Sequence, residues 1–254
     1  MIILVSGKGG QLAQSVQNIL EVSSEHEFIF LDKKVLDVSD ANKIEECFNI
    51  FKPNIFINTA AYTKVDDCEE HLDLAFRINS DGPSLLSKFC LKFNTLLIHI
   101  STDYVFDGES NIPYKINDDT NPMQVYGRSK LKGEELIKES GCAYLIIRTS
   151  WLFSENGRNF VKIIANKIYE GESISVVGDQ RGNPTYAVDL AISLIDLVKR
   201  NSLNSLLSKK EVIHYSGPDT ISWFDFANTI YDTIKSMNLI NSSKIPTISS
   251  ISST

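Results

Sequence analysis

Short apolar runs alternate with amphipathic stretches through the first half of the chain, and this alternation restricts the fold more than any other feature. Apolar runs bounded by turn residues are typical of strands, and apolar residues at helical spacing are typical of a helix that lays one face on a sheet. The alternation therefore predicts an α/β fold with a parallel sheet. Strands are predicted at residues 2–5, 28–31, 55–58, 96–100 and 145–147.

A glycine turn follows the first predicted strand directly and opens the first amphipathic helix, as Gly7-Lys8-Gly9-Gly10-Gln11-Leu12-Ala13. Gly7 permits a tight bend, Gly10 leaves room for a pyrophosphate, and the small Ala13 lets the helix pack closely on the strand. The helix N-terminus directs unpaired N–H groups at the phosphates. The turn predicts a Rossmann-type doubly wound sheet, although an ordinary tight turn would use glycine as well. The predicted dinucleotide contacts here are Gly7, Gly10, Gln11 and Leu12.

An acidic residue, Asp32, closes the second predicted strand at the distance where a carboxylate accepts hydrogen bonds from an adenosine ribose. The alternative is a solvated turn at the end of the strand. Lys33 and Lys34 follow, and either could pair with a ribose 2′-phosphate, so NADPH and NADH both remain open. Asp37 and Val38 are predicted beside the adenine, with helix capping as the alternative for Asp37.

The third predicted strand ends in Asn58-Thr59-Ala60-Ala61, and Tyr62 follows. Small side chains at the carboxyl end of a strand let a dinucleotide cross the edge of the sheet. Ala60, Ala61 and Tyr62 are therefore predicted to contact the coenzyme.

A hydroxyl and a Y-x-x-x-K pair are the candidate catalytic groups. The fourth predicted strand runs into Ser101-Thr102-Asp103, and Tyr126 and Lys130 share one face if residues 126–138 form a helix. A free tyrosine titrates at about pH 10, and a nearby ammonium lowers that pKa while its other donors hold the nicotinamide ribose. Thr102, Tyr126 and Lys130 are thus predicted to reduce a carbonyl, with Tyr126 as the proton donor. Taken alone, such a pair more often marks an exposed helix face.

The second half of the chain has a mixed pattern, with helices predicted near residues 160–169, 188–199 and 223–235. Ser222, followed three residues later by Asp225, is a plausible cap for the last helix. We expect residues 1–150 to form an NAD(P)-binding domain. Residues 151–254 are expected to form mostly a substrate-binding lobe, with some elements returning to the first domain. Residues 241–254 have no helical period, and either a frayed tail or an edge strand fits them.

Charge and composition exclude several classes of protein. The net charge is −7 and basic residues cluster in pairs at most, which argues against nucleic-acid binding. The apolar runs are shorter than the roughly 18 residues that a membrane span needs. Widely spaced cysteines without a C-x-x-C pair predict buried thiols rather than disulfides or zinc ligands. We expect a cytoplasmic enzyme.

These motifs resemble the extended short-chain dehydrogenases and, within them, the dTDP-4-dehydrorhamnose reductases. The match covers roughly residues 1–235, through G-K-G-G-Q-L, N-T-A-A-Y-T-K-V-D, I-S-T-D-Y-V-F-D-G, Y-G-R-S-K, R-T-S-W-L-F and G-D-Q-R-G-N-P-T. The resemblance implies reduction of dTDP-4-dehydro-6-deoxy-L-mannose to dTDP-L-rhamnose, a polysaccharide precursor, with NADPH or NADH. It implies the same catalytic residues, Thr102, Tyr126 and Lys130.

The resemblance also implies a site for the nucleotide-sugar substrate. Asp103 and Trp151 would line the sugar, because a carboxylate accepts hydroxyls and an indole offers a face to a pyranose. Core packing is the alternative for Trp151. Residues 178–185 would lie near the nucleotide, with Arg181 and Asn183 as contacts. Arg148 and Arg181 are candidates for the diphosphate, and a structural salt bridge is the alternative.

The sequence departs from the family pattern at three places. Members usually carry Gly where Ala13 stands, and they continue past the position of Thr254 with an R-P-x-x-S/A segment, so we expect a shortened C-terminus. Some members dimerise through a magnesium ion held by glutamates. The matching stretch here, Gln14-Ser15, is not acidic, so we predict no such metal and leave a homodimer open.

Two other functions remain as alternatives. A nucleotide-sugar epimerase or dehydratase would share the fold, but dehydratases that resemble it carry Asp-Glu after the catalytic threonine, where this chain has Asp103-Tyr104. Regulatory subunits of methionine adenosyltransferase also resemble this subfamily. The intact Thr102, Tyr126 and Lys130 favour an enzyme over such a binding subunit.

Overall fold

The computed structural model describes residues 1–20, 26–240 and 245–253. Within these ranges the strands are β1 (Ile2–Ser6), β2 (Glu27–Leu31), β3 (Ile55–Asn58), β4 (Leu96–Thr102), β5 (Tyr144–Thr149), β6 (Leu152–Phe153), β7 (Ile174–Val177), β8 (Arg181–Gly182), β9 (Thr185–Tyr186), β10 (Lys210–His214), β11 (Ile221–Ser222) and β12 (Ile248–Ile251). The α-helices are α1 (Gln11–Leu20), α2 (Ala41–Phe51), α3 (Val65–Glu70), α4 (Leu72–Phe76), α5 (Gly82–Phe93), α6 (Val125–Glu139), α7 (Phe160–Glu170), α8 (Ala187–Arg200), α9 (Leu203–Leu207) and α10 (Trp223–Ser236). A π-helical turn spans Arg77–Asp81, and a 3₁₀ turn spans Asp103–Val105.

A parallel six-stranded sheet forms the centre of the fold, in the order β10-β5-β4-β3-β1-β2. The chain moves outward from β1 to β2, then returns past β1 to β3 and continues in the other direction. In doubly wound sheets, the crevice at such a reversal is where ligands bind. The predicted Rossmann-type fold and its five predicted strands are confirmed, and the crevice lies between the ends of β1 and β3.

Helices cover both faces of the sheet and bury the inner strands β1, β3, β4 and β5 almost completely, as is usual for parallel sheets, whereas the edge strands β2 and β10 keep exposed residues. On one face, Ile3 and Val5 of β1 pack in a cluster with α1 and α8. On the other face, Leu4 packs in a cluster with Phe48 of α2 and Leu86 of α5. Because successive strand residues point to opposite faces, a strand between two helical layers must be apolar throughout.

Part of the second half of the chain returns to this sheet. Strand β10 pairs with β5 at the edge, and α8 packs against α1. The remaining elements form a smaller lobe, in which α7, α10 and β7 share an apolar cluster that includes Ile168 and Phe226. A capping box joins Ser222 and Asp225 at the start of α10, so the predicted cap is confirmed.

The C-terminal segment contributes a strand to the smaller lobe. Strand β12 pairs in parallel with β7, which resolves the alternative between a frayed tail and a strand for Ile248–Ile251. Residues 241–244 and 254 lie outside the described residues. All four cysteines are free and buried, as their spacing predicts. In the described part of the chain, no helix has both the length and the hydropathy needed to cross a membrane.

Candidate active site

The glycine turn after β1 has a backbone that few other residues could adopt. Gly7 has φ of +74°, and a Cβ on it would lie 2.8 Å from Thr59 Oγ1. The Gly10 N–H donates to Gly7 O at 2.7 Å, which closes the turn. A Cβ on Gly9 would meet nothing within 4 Å, so the loop is open toward solvent in front of α1. An open loop at a helix N-terminus fits a pyrophosphate.

Two predicted coenzyme contacts in this turn have side chains that bind the protein itself. The Gln11 amide accepts from Asn159 Nδ2 at 2.9 Å and donates to Leu152 O at 3.3 Å. Leu12 is buried in the core. What these two residues could still offer a ligand is their backbone N–H groups in the first helical turn, since such groups have no partners within a helix.

Asp32 forms a turn of its own at the end of β2. Its Oδ1 accepts from the backbone N–H groups of Lys34 at 2.8 Å and Val35 at 3.1 Å. The bond from Val35 is the main reason why the pKa of Asp32 lies below its usual value. Lys33 is exposed and lies 3.8 Å from the Asp37 carboxylate. The turn that was the alternative interpretation of Asp32 is therefore present. Both of its hydrogen bonds go to Oδ1 of Asp32, and neither goes to Oδ2.

The two residues predicted beside the adenine lie in the loop before α2. Asp37 accepts hydrogen bonds from Ser39 N at 3.0 Å and Ser39 Oγ at 2.7 Å. The cap of α2 is Asp40, so the helix-capping alternative for Asp37 is wrong. The Val38 side chain is buried and packs near Gly82, which leaves its backbone as the part that could meet a ligand.

The segment after β3 borders the crevice and is fixed by two buried asparagines. The Ala60 N–H donates to Asn58 Oδ1 at 3.2 Å. The Asn79 amide accepts from Tyr62 N at 2.8 Å and donates to Tyr62 O at 3.0 Å. Ala60 and Ala61 are both half-buried. This segment is therefore a rigid wall with small side chains.

The catalytic candidates come from two neighbouring elements. Thr102 is the last residue of β4, and Tyr126 and Lys130 lie one turn apart on α6, which confirms the predicted helix. Gly127 permits the close approach of α6 to the 3₁₀ turn, because a Cβ there would collide with the carbonyl oxygen of Tyr104. The close approach brings the Tyr104 and Tyr126 rings edge to face, 5.6 Å apart.

The surroundings of Tyr126 favour the neutral phenol. Burial raises the pKa of Tyr126, a hydrogen bond with Thr102 opposes that shift, and the charge of Asp103 adds to it. The Lys130 Nζ donates instead to Ile100 O at 2.7 Å and lies 3.1 Å from His99 Nε2. The expectation that Lys130 lowers the pKa of Tyr126 is therefore wrong for this structure. Burial also lowers the pKa of Lys130 to about 8.

Asp103 adjoins this pair. Its Oδ1 accepts from Thr102 Oγ1 at 3.0 Å. Burial raises the pKa of Asp103 to about 6, against the opposing effect of the Thr102 hydrogen bond. A carboxyl group with such a pKa changes charge within the range in which many enzymes work.

Two tryptophans form a stacked pair in the smaller lobe. The rings of Trp151 and Trp223 lie 3.4 Å apart at an interplanar angle of 8°. Trp151 has φ of +43°, and its ring lies so close to Gly182 that a Cβ there would collide with it. A cleft of about 450 Å³ is lined by Trp223, Gln180 and neighbouring residues. Trp151 is half-buried, so packing accounts for much of its position.

The polar candidates for the substrate differ in what they contact. Arg181 is exposed and donates to Thr220 O at 3.0 Å. Asn183 donates to Gly217 O at 3.0 Å and accepts from Thr220 Oγ1 at 3.2 Å, so its amide joins two loops. Arg148 is buried and pairs with Glu134 at 2.8 Å, which confirms the salt-bridge alternative for it.

Comparison with known proteins decides the family. Residues 1–253 match the model of the RmlD substrate binding domain. The chain belongs to this family. A dTDP-4-dehydrorhamnose reductase of Aggregatibacter actinomycetemcomitans is 35% identical to this RmlD-family chain over 249 residues, which cover 98% of it and 84% of the relative. The spore coat polysaccharide biosynthesis protein SpsK of Bacillus subtilis is 36% identical over 230 residues. The matched region covers 91% of the present chain and 78% of SpsK.

Solved structures agree with this family assignment. A dTDP-4-dehydrorhamnose reductase from Clostridium acetobutylicum has a TM-score of 0.86 at 36% identity, over 98% of this chain and 84% of that one. The Bacillus anthracis enzyme, solved in complex with NADP, has a TM-score of 0.87 at 34% identity, over 99% of this chain and 84% of that one. The resemblance stated from the motifs is therefore confirmed.

Several residues around these candidate groups had no clear signal in the sequence. Asn58 contacts His99, and His99 in turn contacts Lys130. Trp223 stacks on one face of Trp151. In the sequence, Asn58 is recognisable only as the last residue of a predicted strand. His99 is recognisable only as a polar residue within the apolar run that leads to Thr102. The contacts of Asn58 and His99 cross between strands, and such pairings have no fixed spacing along the chain.

Proposed function

We propose that this chain is an NAD(P)H-dependent reductase of the 4-keto group of a nucleotide-linked deoxysugar. The preferred reaction is dTDP-4-dehydro-6-deoxy-L-mannose to dTDP-L-rhamnose. The observation that carries the proposal is the position of Thr102, Tyr126 and Lys130, at the carboxyl edge of the sheet whose β1–β3 crevice holds an open glycine loop. The names of the relatives support the same substrate class.

The residues at the crevice fit a nicotinamide dinucleotide. The backbone of Gly7 and Gly10, with the first N–H groups of α1, would hold the pyrophosphate. Asp32 would accept hydrogen bonds from the adenosine ribose, and the exposed side chain of Lys33 would be available to a 2′-phosphate. The walls of the crevice would be the loop at Asp37 and Val38 and the segment at Ala60, Ala61 and Tyr62. When bound, the coenzyme supplies the hydride.

Tyr126 would donate the proton to the substrate oxygen. Its raised pKa keeps the phenol protonated at neutral pH, which is the form that donates. The Thr102 hydroxyl would hold the same oxygen in line with the phenol. Lys130 has donors for the nicotinamide ribose, and its pKa of about 8 lets it replace the proton that Tyr126 loses.

The smaller lobe would hold the nucleotide sugar. Trp151, kept in place by Trp223, would pack against the pyranose, and Asp103 would accept its hydroxyls. Arg181 would pair with the diphosphate, since its guanidinium is exposed. Asn183 would act by joining the two loops that its amide bridges. A cytoplasmic location and a homodimer remain predictions from the sequence.

A turnover assay tests the proposal. The protein is incubated with dTDP-4-dehydro-6-deoxy-L-mannose and either NADPH or NADH, and the reduced-nicotinamide absorbance is followed. We expect one coenzyme to be consumed for each sugar reduced, whereas an epimerase would regenerate its coenzyme. Coenzyme binding without any turnover would favour a regulatory subunit and contradict a reductase.

Replacing Tyr126 with Phe tests the assigned proton donor. We expect kcat to fall by about 10²-fold or more, because the phenol proton is lost while the ring is kept. Coenzyme affinity, measured by fluorescence titration, should stay close to that of the wild type. Tyr169→Phe, on the exposed face of α7, is the matched control and should turn over normally. Equal turnover in the two variants would remove Tyr126 from the mechanism.

A further inference from the structure

A buried hydrogen-bonded chain runs beneath the active site from β1 to α6. Ser6 Oγ donates to Asn58 Oδ1 at 2.8 Å, and the Ala60 N–H donates to the same oxygen at 3.2 Å. A backbone N–H cannot accept, so it fixes which end of the Asn58 side chain is oxygen. The amide nitrogen must then face His99, whose Nδ1 lies 3.1 Å away.

This orientation determines the tautomer of His99. Asn58 Nδ2 is a donor, so His99 Nδ1 must be the acceptor of that contact. A neutral imidazole that accepts at Nδ1 carries its hydrogen on Nε2. His99 is fully buried, and burial lowers its pKa well below the usual value, which keeps the ring neutral. The Nε2–H therefore points at Lys130 Nζ, 3.1 Å away.

An ammonium does not suit this contact. A protonated lysine has three donors and no acceptor, so it would place its hydrogens against the Nε2–H of His99. An uncharged amine has a lone pair for that hydrogen and can still donate to Ile100 O at 2.7 Å. The amine satisfies both contacts of Lys130, and the ammonium satisfies one.

Charged groups on several elements surround Lys130. Glu134, one turn further along α6, acts on Lys130 and raises its pKa, against the larger effect of burial. The Glu134 carboxylate is itself neutralised by Arg148 on β5 at 2.8 Å, and Lys138 lies 3.5 Å from it. Asp103, on the 3₁₀ turn, acts on Tyr126. His99 is therefore the group in direct contact that selects the form of Lys130.

We propose that His99 is a positioning residue for the reductase reaction. Held by Asn58, it donates its Nε2–H to the uncharged form of Lys130 and so stabilises the amine relative to the ammonium. The role in turnover rests on the proposed function, whereas the hydrogen-bonding pattern belongs to the protein without ligands.

This arrangement gives Lys130 a use in each catalytic cycle. After Tyr126 has given its proton to the substrate oxygen, a phenolate remains. The Lys130 ammonium can supply the proton that restores the phenol, which leaves a neutral amine, and the amine is then protonated again from solvent. A lysine of ordinary pKa would hold its proton too tightly for this exchange near neutral pH. Stabilisation of the amine by His99 makes the exchange easier.

The tautomer can be read directly in the wild-type protein. The chain has four histidines, so ring nitrogens labelled with ¹⁵N can be assigned by comparison with His99→Gln. We expect long-range ¹H–¹⁵N spectra of the coenzyme-free protein to show His99 protonated at Nε2 alone from about pH 6 to pH 9, as its lowered pKa requires. Protonation at Nδ1, or at both nitrogens, would overturn the proposal.

The coupling to Lys130 is tested by His99→Gln, whose amide can turn its oxygen to an ammonium. Titration of ¹³C-labelled lysine should show the Lys130 pKa raised by about one unit, because a donor to the neutral form is lost. Asn58→Asp should raise it as well, since a carboxylate would require Nδ1–H and turn Nε2 into an acceptor. His214→Gln, on β10, is the matched control and should leave Lys130 unchanged.

The turnover profile gives a separate readout. The basic limb of kcat against pH should move upward by about one pH unit in His99→Gln and stay in place in His214→Gln. An unmoved Lys130 titration in both His99→Gln and Asn58→Asp would refute the coupling. A wild-type protein without turnover, but with the expected tautomer and titrations, would refute the reductase function and leave the hydrogen-bonding pattern standing.

Discussion

At the scale of single residues, burial affects the proposed catalytic pair, Tyr126 and Lys130, more than their mutual attraction does. The pKa of Tyr126 is raised and that of Lys130 is lowered, each mainly by burial, so both groups favour their neutral forms. A medium of low polarity disfavours charge on an acid and on a base alike. The raised pKa therefore keeps the phenol protonated at neutral pH, as the proposed donor role requires, and the lysine can gain or lose a proton near pH 8.

Asp103 should make stability depend on pH. Its pKa is about 6 in the folded protein, above the value of 3.8 for a free carboxyl, so the folded state binds the proton more tightly than the unfolded state. The ionised carboxylate therefore destabilises the fold as pH rises through about 6, and this effect is absent below about pH 4. In Asp103→Asn, the free energy of unfolding at pH 8 should rise by on the order of 1 kcal/mol, since the half-buried site limits the effect.

Urea unfolding at pH 4 and pH 8 measures this difference. The gain from Asp103→Asn should be present at pH 8 and vanish at pH 4. Asp119→Asn, at an exposed loop position, is the control and should change stability equally little at both values. A gain of the same size at pH 4 and pH 8 would show that the carboxyl of Asp103 is not the titrating group.

The sequence identified the residues whose type follows from local chemistry. Gly7 needs a positive φ, and Tyr126 and Lys130 share a helix face because they are four positions apart. It did not reveal the contacts of Lys130 or Trp151, because these depend on His99 from β4 and on Trp223 from α10. Neither partner lies at a fixed distance along the chain.

At the scale of elements, α6 owes its position to two glycines. Gly127 lies against the backbone of Tyr104, and Gly133 lies against the carbonyl oxygen of Asn79 in the π-helical turn. The helix therefore approaches its neighbours backbone to backbone. This approach sets the position of Tyr126 relative to Thr102, so a displacement of the helix would separate these two proposed catalytic side chains.

Gly133→Ala should destabilise the protein even though alanine is the better helix former. Helix propensity favours alanine by about 1 kcal/mol, but the new Cβ would collide with the Asn79 carbonyl oxygen. Overpacking of this kind costs about 1–3 kcal/mol, and here the obstacle is backbone that cannot rotate away. We expect a net loss of unfolding free energy in urea and a fall in kcat.

The exposed face of the same helix supplies the control. Lys132 has a side chain 46% exposed and forms a surface ion pair with Glu135 at 2.9 Å. Surface pairs of this kind contribute little, so Lys132→Ala should change stability by less than about 1 kcal/mol. If Gly133→Ala were as stable as Lys132→Ala, the close approach of α6 to the π-helical turn would not be needed.

Long elements were predictable and short ones were not. The pattern indicated β1 to β5 and helices α7, α8 and α10, because each repeats its apolar period over several residues. Strands β6, β8, β9 and β11 span two residues each and show no period. Their pairings are set by the approach of distant segments such as Arg181 and Ser222.

At the scale of the whole molecule, the two halves of the chain share one core. Leu190 and Leu194 of α8 are buried with Leu12 and Val16 of α1, against the same face of the sheet. Strand β10 adds its hydrogen bonds to the edge at β5. A boundary at residue 150 therefore fits the sequence pattern better than the packing, because elements from both sides of the boundary share one core.

A fragment of residues 1–150 should for this reason fail to fold cooperatively. It would expose the face of α1 that α8 covers and would leave β5 as an unpaired edge, which is a site for aggregation. Burying one such leucine side chain is worth about 2 kcal/mol, so losing several removes a large part of the few kcal/mol by which domains are stable. We expect the fragment to bind a hydrophobic dye and to lack a sigmoidal urea transition. The full chain gives the reference transition, and a fragment with its own steep transition would show that residues 1–150 are an independent domain.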